Sequence, residues 1–267
     1  MRNLFVQGSS IVLSFFSLYF LCLQVNWMTL LNIEVATKST EEKLGELYWE
    51  LFKTTETEVR SKKVTSAIDD LVSHLCASNR IDRSKIKIHI LQKGEINAFA
   101  MPDHHLVIFT GLIEACENEA ELAGVIAHEI AHMEKNHVMK SLIKEVGLSV
   151  IISITTGGRS TEMIKETAKV LTSSAYDRHL ESEADLCAAD YLLSADLDPE
   201  GLATFLFKLA NEEKNIPSQF YWISSHPESE QRAADIIEYI KSKDVAKDSV
   251  LTSLQWNDMK KRLQDID

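Results

Sequence analysis

The amino-acid sequence predicts an α+β domain that is predominantly helical and carries one small sheet. Apolar residues recur at helical spacing over most of the chain, as in the stretch from Leu122 to Met133. Strand-like alternation of period two occurs at residues 86–90. The chain has 267 residues, which is room for one domain of ordinary size and a short appendage.

The appendage is the N-terminal segment. Residues 3–33 contain no charged side chain, and the apolar stretch reaches the roughly 20 residues that span a bilayer. We favour an uncleaved transmembrane anchor, because no small-x-small cleavage site follows the apolar core; a cleaved signal peptide and secretion are the alternative. Arg2 and the amino terminus make the short flank positive, which predicts that the main domain lies on the extracytoplasmic side, periplasmic or intermembrane-space-like.

Three parts follow from this pattern. They are an anchor or signal segment at residues 1–33, a helical linker at 34–63 and the main domain at 64–267. Within the linker, Ser39 predicts the start of an amphipathic helix, because Glu42 three residues later completes a capping box.

The main domain opens with another amphipathic helix, which begins near Val64. The alternation at residues 86–90 predicts a strand, and residues 96–109 predict a β-hairpin that turns at Pro102-Asp103. Residues 146–158 form an apolar run that is too short to span a membrane. This run packs in the domain or lies against the bilayer.

Charge and cysteine content exclude some classes of function. The formal net charge is −12 and no basic stripe interrupts it, so we expect no nucleic-acid partner. The four cysteines lack metal-type spacing, and Cys116 and Cys187 lie on predicted apolar faces. Buried free thiols are expected there rather than a disulfide framework.

Residues 128–132 read His-Glu-Ile-Ala-His on a predicted helix. His128 and His132 are four positions apart, so both imidazoles lie on one face and can bind a single metal ion. Glu129 projects close to the metal without binding it, where it can take a proton from a zinc-bound water. Asn118 predicts the N-cap of this helix, with Glu121 completing a capping box.

A catalytic zinc site usually has three protein ligands and one water. From the residues alone, the candidates for the third ligand are Glu181, Glu183, His137, His179 and His226. Glu181 and Asp185 are four positions apart on a second predicted helix. One of them can bind the metal while the other accepts a hydrogen bond from a ligand histidine.

Four motifs in order resemble those of the membrane-associated zinc endopeptidases that include HtpX and the CAAX prenyl protease 1 type. The closest likeness is to their short, single-anchor periplasmic and mitochondrial (Oma-like) members. The motifs are Asn97-Ala98-Phe99-Ala100, His128 to His132 with His137 five further on, Arg178 to Asp185, and Ser225-His226-Pro227 followed by Arg232.

The resemblance implies a zincin-like (gluzincin) fold and one Zn²⁺ per subunit. It implies His128, His132 and Glu181 as the metal ligands, Glu129 as the general base and Asp185 as the residue that orients a ligand. It also supports Asn97, Ala98, Phe99 and Ala100 as a strand that holds substrate, since peptides commonly add to an exposed sheet edge. A core hairpin without substrate contact is the alternative.

The other polar residues near these motifs have simpler interpretations. We expect His137 to support the structure, His179 and the pair His104-His105 to lie at the surface or in loops, Glu183 to face solvent or pair with Arg178, and Arg232 to be a helix-surface charge. Two roles are open for His226. It donates a hydrogen bond to the tetrahedral oxyanion, or it binds the metal in a resting state and suppresses activity.

The predicted function is that of a zinc-dependent metalloendopeptidase that hydrolyses peptide bonds through a zinc-activated water. The resemblance suggests polypeptide substrates such as misfolded membrane or envelope proteins, and so a role in their quality control. The alternative is a zinc-binding, chaperone-like protein whose metal site is latent or structural. Prenyl-protein processing within the membrane is disfavoured, because only one candidate span is present.

Overall fold

The structure is a computed structural model that describes residues 33–265, except 159, 174–175, 214–221, 223–224 and 246. The chain divides into two compact units, residues 1–41 and 42–267. The predicted anchor at 1–33 lies outside the described residues, apart from its last position, and it stays a prediction. No helix in the described ranges is both long and apolar enough to cross a bilayer.

Helices make up most of the described chain, as the sequence predicts. In chain order the elements are α1 (Ile33–Thr55), α2 (Lys62–Asn79), a 3₁₀ turn (Arg83–Lys85), β1 (Lys87–Leu91), β2 (Ala98–Met101), β3 (His105–Phe109), α3 (Thr110–Ala115), α4 (Glu119–Glu134), α5 (His137–Val146), α6 (Leu148–Thr156), α7 (Thr161–Ser173), α8 (Arg178–Ser194), α9 (Glu200–Glu213), α10 (Ser229–Ile240) and α11 (Ser253–Gln264).

The predicted strand and hairpin together form one three-stranded sheet with the order β1-β3-β2. Strand β3 pairs parallel with β1 and antiparallel with β2, in a register that places Ala100 opposite Leu106. Strand β2 is therefore an edge strand. It packs beside α4, so one edge of the sheet lies next to the helix that carries the His-Glu-Ile-Ala-His segment.

Helix α1 begins six residues earlier than the predicted capping box allows. It starts at Ile33, so Ser39 lies inside the helix and the prediction of a cap at this residue is wrong. No Gly or Pro interrupts residues 33–38, so the helix continues through them. Leu44 and Tyr48 of the same helix are fully buried, so the segment predicted as a linker contributes to the core of the second unit.

The N-terminus of α4 has half of the predicted capping box. The side chain of Asn118 accepts a hydrogen bond from the Glu121 N–H at 3.0 Å, as expected. The Glu121 carboxylate does not return to Asn118. It accepts from the Glu117 N–H at 3.0 Å and from Lys208 of α9 at 2.6 Å. A buried carboxylate is stabilised more by a cation than by one backbone N–H, so the contact with α9 takes precedence.

His105 contradicts the expectation of a surface or loop histidine. It lies in β3, is buried, and its Nδ1 is 2.8 Å from Nε2 of His89 in β1. Burial lowers the pKa of His105 to about 3 and that of His89 to about 4, so both rings are neutral near pH 7. Residues of β3 are buried on both faces of the sheet, and alternation in the sequence does not distinguish that case from a half-exposed strand.

Helix α4 approaches α9 so closely that only glycine fits at one contact. A Cβ added to Gly124 would lie 2.8 Å from backbone atoms of Leu202. Gly124→Ala would ordinarily stabilise a helix interior by about 0.5–1 kcal/mol. Here we expect the free energy of unfolding to fall by about 1–3 kcal/mol, because the helices must separate. Urea denaturation measures this.

Gly94→Ala is the matched control, because a Cβ at Gly94 meets no atom within 4 Å. Its free energy of unfolding should stay within about 0.5 kcal/mol of the parent value. Equal stability of the two alanine variants would contradict the close helix contact.

Candidate metal centre

Two packed helices bring the central residues together. Helix α4 carries His128 and His132, and α8 packs against it and carries Glu181. The two Nε2 atoms are 2.9 Å apart, and the Glu181 oxygens lie 3.3 Å from Nε2 of His132 and 3.6 Å from Nε2 of His128. The sequence could not decide among the acidic candidates for a third ligand. The structure places Glu181 with both imidazoles.

His226 joins the same cluster from the segment that precedes α10. Its Nδ1 lies 3.0 and 3.1 Å from the two Glu181 oxygens and 3.3 Å from Nε2 of His128. Ligand atoms of the four residues His128, His132, Glu181 and His226 all lie within 4.8 Å of one another, and the side chains are at most 1% exposed. Four donors thus surround one small, buried space.

The chemistry of this donor set fits Zn²⁺. Three imidazoles and one carboxylate are common zinc ligands, and four is the usual coordination number. Burial, with His128 adding to it, holds the pKa of His132 well below its usual value, so the ring is neutral as a ligand must be. Burial acts to raise the pKa of Glu181, but His226 and Arg232 outweigh it and hold that pKa well below its usual value.

Further contacts orient both helix α4 imidazoles. Asp185 Oδ1 lies 3.0 Å from Nδ1 of His128, so the ligand nitrogen Nε2 is turned into the cluster. Nδ1 of His137 lies 3.1 Å from Nδ1 of His132, and Nε2 of His137 lies 3.3 Å from the Glu183 carboxylate. Glu183 therefore does not pair with Arg178, and that expectation is wrong. It supports a histidine behind the cluster.

Arg232 is a site residue that sequence reasoning missed. Its guanidinium binds Asp185 through Nε and Nη2, both at 2.7 Å, and its Nη1 lies 2.6 Å from Glu181 Oε2. Nη1 also donates to the backbone carbonyl of His226 at 3.2 Å. The side chain is buried, so the prediction of a helix-surface charge is wrong. Its place after Ser225-His226-Pro227, in the fourth motif of the resemblance, was the signal for a role at the site.

Glu129 lies beside the cluster rather than in it. Its Oε2 accepts a hydrogen bond from the Ala100 N–H of β2 at 3.0 Å, and its Oε1 accepts from Trp222 Nε1 at 3.3 Å. Nε2 of His226 is 3.4 Å from the same Oε1. Burial raises the pKa of Glu129 to about 7, a value that suits a general base. A divalent cation in the cluster would lower that pKa again.

Two aromatic side chains that belong to none of the four motifs also enclose the cluster. The ring of Tyr176 stacks on His132 with centroids 4.1 Å apart, and the ring of Trp222 stacks on His226 at 4.5 Å. The Tyr176 N–H donates to the Ser225 carbonyl at 3.1 Å, which connects the residues before α8 to the His226 segment. Because both aromatics lie outside long periodic helices, hydrophobic spacing does not reveal them.

Comparison with known proteins agrees with this geometry. Residues 60–240 match the model of peptidase family M48. This range includes all four residues of the cluster. The beta-barrel assembly-enhancing protease of Yersinia pestis is 24% identical over 214 residues, which are 75% of this chain and 44% of that protein. The mitochondrial metalloendopeptidase OMA1 of Schizosaccharomyces pombe is 23% identical over 190 residues, 69% of this chain and 56% of that protein.

A third relative is the metalloprotease LoiP of Escherichia coli K12, 29% identical over 165 residues, which are 59% of this chain and 64% of that protein. The chain thus spans roughly half the length of these relatives. The family match covers well over half of the chain itself, and the resemblance to the HtpX and Oma-like peptidases is confirmed. The chain belongs to peptidase family M48.

Proposed function

We propose that this chain is a zinc-dependent metalloendopeptidase with one Zn²⁺ per subunit. The observation that carries the proposal is the convergence of His128, His132 and Glu181, with the Glu129 carboxylate directly beside them. A purely structural zinc site has no need of that additional buried carboxylate. One relative is named a protease and another a metalloendopeptidase, and both names support the same activity.

When bound, zinc lowers the pKa of a coordinated water towards about 7 and polarises the scissile carbonyl. The chain supplies the proton transfers. Glu129 takes the proton from the attacking water and passes it to the leaving amine. The Ala100 N–H and the Trp222 indole hold its two oxygens in place. Asp185 and His137 keep the two α4 imidazoles oriented throughout.

The substrate is a polypeptide that binds as an added strand along β2. The Phe109 N–H donates to the Asn97 carbonyl, so by alternation the backbone groups of Ala98 and Ala100 face away from β3. The Ala100 N–H is already held by Glu129, so a substrate strand would meet the Ala98 N–H and the carbonyls of Ala98 and Ala100. The Asn97 Oδ1 is buried without a hydrogen-bond partner, and a substrate N–H could supply one. The Phe99 ring packs against Phe109 in the core. Its role is to fix the strand.

The arrangement described here is a resting form. His226 directs Nδ1 into the space between Glu181 and His128, which is where the fourth position of the metal would lie. Helix α7 also packs against β2, and Ala98 and Ala100 are buried. A peptide can add to this edge only after α7 moves. We infer that activity requires both His226 and α7 to shift.

This inference predicts the effect of His226→Ala. If His226 takes the fourth position, its removal should raise basal cleavage of an unfolded protein about tenfold, since displacement of this side chain is then no longer needed and only the shift of α7 remains. If it donates to the oxyanion instead, cleavage should fall by about 10²–10³. His179→Ala, at an exposed position of α8, is the control and should change nothing.

A second candidate function rests on the same histidine. Four protein ligands are typical of structural zinc sites, so the closed cluster favours a chaperone-like protein with a latent or structural metal. Cleavage of casein distinguishes the two candidate functions. The peptidase cleaves it, loses activity to a chelator and regains it with Zn²⁺. A structural site instead gives no cleavage from either the parent or His226→Ala, and chelation lowers only the melting temperature.

The names of the relatives support a proposal for the location and biological role of the chain. Residues 3–33 would hold the chain in a membrane, with residues 42–267 on the extracytoplasmic side. Misfolded membrane or envelope proteins are the proposed substrates, in line with a relative named for enhancing beta-barrel assembly and another that is mitochondrial. The acidic net charge argues against a nucleic-acid partner.

A further inference from the structure

Helix α6 is a short apolar element bounded by two glycines. Gly147 (φ +84°) and Gly157 (φ +116°) adopt backbone conformations that L side chains rarely take, so the helix begins and ends sharply at these positions. Residues 147–158 contain no charged side chain. Ile151 and Ile154 are fully buried and fix one face of α6 against the domain.

The other face of α6 presents apolar side chains to solvent. Leu148 is 51% exposed and Ile152, one helical turn on, is 45% exposed. Ile143, whose carbonyl accepts the N–H of Gly147 at the end of α5, is 36% exposed. In the described ranges, three of the six exposed large apolar residues lie within residues 143–152. Leu148 and Ile152 share one face of α6, and Ile143 lies four positions before the Gly147 at which α6 begins. We call these three residues the α6 tip.

We propose that the α6 tip docks on the surface of a lipid bilayer. Because residues 147–158 carry no charge, Leu148 and Ile152 can leave water without desolvating an ion of their own helix. Lys140 is exposed one turn before Ile143 on the same face of α5, where its ammonium can meet lipid phosphate groups. Glu145 lies two positions from Ile143, on the opposite side of that helix.

A lipid bilayer is the expected partner of the α6 tip, because the proposed membrane segment would tether the domain to one. This inference rests on the proposed membrane segment at residues 3–33. Three side chains alone would bind a vesicle only weakly and reversibly, since even a myristoyl chain does so. A domain tethered to the bilayer experiences an effective lipid concentration in the millimolar range or above, at which weak docking is sufficient.

The test places one tryptophan at the α6 tip, in the otherwise unchanged chain. Leu148→Trp is reconstituted in phosphatidylethanolamine/phosphatidylglycerol vesicles with and without acyl-chain bromine, which quenches tryptophan on contact. After subtraction of the parent emission, the added signal should fall at least about twofold in brominated vesicles, because tips of this kind enter about 5–10 Å. Ile152→Trp, on the same face, should behave alike.

Leu254→Trp is the matched control, because Leu254 is 77% exposed on α11 and undergoes the same substitution. Its added emission should be the same in both vesicles. Flotation of the vesicles tests the membrane segment separately from the docking of the α6 tip. A chain that does not float overturns the membrane segment and the docking together.

A chain that floats with a Leu148→Trp signal as unquenched as that of Leu254→Trp overturns the docking alone. An unquenched signal that shifts to the blue as protein concentration rises would show that the tip binds a second copy of the chain, and it also overturns the proposal.

Discussion

Glu129→Gln should lower kcat for casein cleavage by about 10²–10⁴-fold while zinc binding is retained. The Gln oxygen can still accept a hydrogen bond from the Ala100 N–H or from the Trp222 indole, so the side chain keeps its place. It cannot take a proton from water. Because Glu129 is not among the four clustered donors, the metal content should stay near one per chain. Metal analysis and initial rates on the same preparation measure both effects.

The matched control is Glu134→Gln, the same change at an exposed position of the same helix. It should leave cleavage and zinc content unchanged. Cleavage that persists in Glu129→Gln with zinc bound would show that another group is the base. Loss of zinc together with cleavage would show instead that this carboxylate holds the cluster in shape, which its buried hydrogen bonds also permit.

The parts of the site that lie on regular helices could be predicted from the sequence. His128 and His132 share a helical face of α4 by spacing alone, and Glu181 and Asp185 share one of α8. The choice of Glu181 as the third ligand, among two glutamates and three histidines, depended on the family resemblance. Spacing within one helix says nothing about which residue of another helix will face it.

The remaining residues come from segments without periodicity. Tyr176 and His226 lie between helices, and Trp222 is a helical position outside the long helices. Their positions are set by contacts such as the stack of Tyr176 on His132. A single sequence holds no record of such long-range contacts. Arg232 was misassigned for a related reason. An arginine on an amphipathic helix is usually at the surface, and here two buried carboxylates from α8 reverse that preference.

Arg232→Leu should reduce the free energy of unfolding by about 3–5 kcal/mol, the largest stability effect that we expect in this chain. The guanidinium binds Asp185 with two hydrogen bonds and contacts Glu181, and its removal leaves two buried carboxylates without their cation. Urea denaturation of the metal-free protein measures the loss. With Zn²⁺ bound the loss should be smaller, because the ion compensates the charge of Glu181.

Arg178→Leu is the control, since that arginine is 82% exposed and its ion pair with Glu228 is solvated. It should cost less than about 1 kcal/mol. Equal losses from the two substitutions would contradict the role assigned to Arg232, and so would the absence of any difference between the metal-free and zinc-bound proteins.

The pH dependence of the Arg232→Leu deficit tests its electrostatic origin. In the parent, burial acts to raise the pKa of Asp185, but Arg232 outweighs it and lowers that pKa to about 2. The stabilisation from this carboxylate is therefore fully present above about pH 4 and lost as the pH falls towards 2. Without the guanidinium, burial raises the same pKa, so the carboxyl binds a proton already in mildly acidic solution. The deficit should then shrink between about pH 7 and pH 4. A deficit that is constant over this range would indicate lost packing of the arginine side chain rather than uncompensated charge.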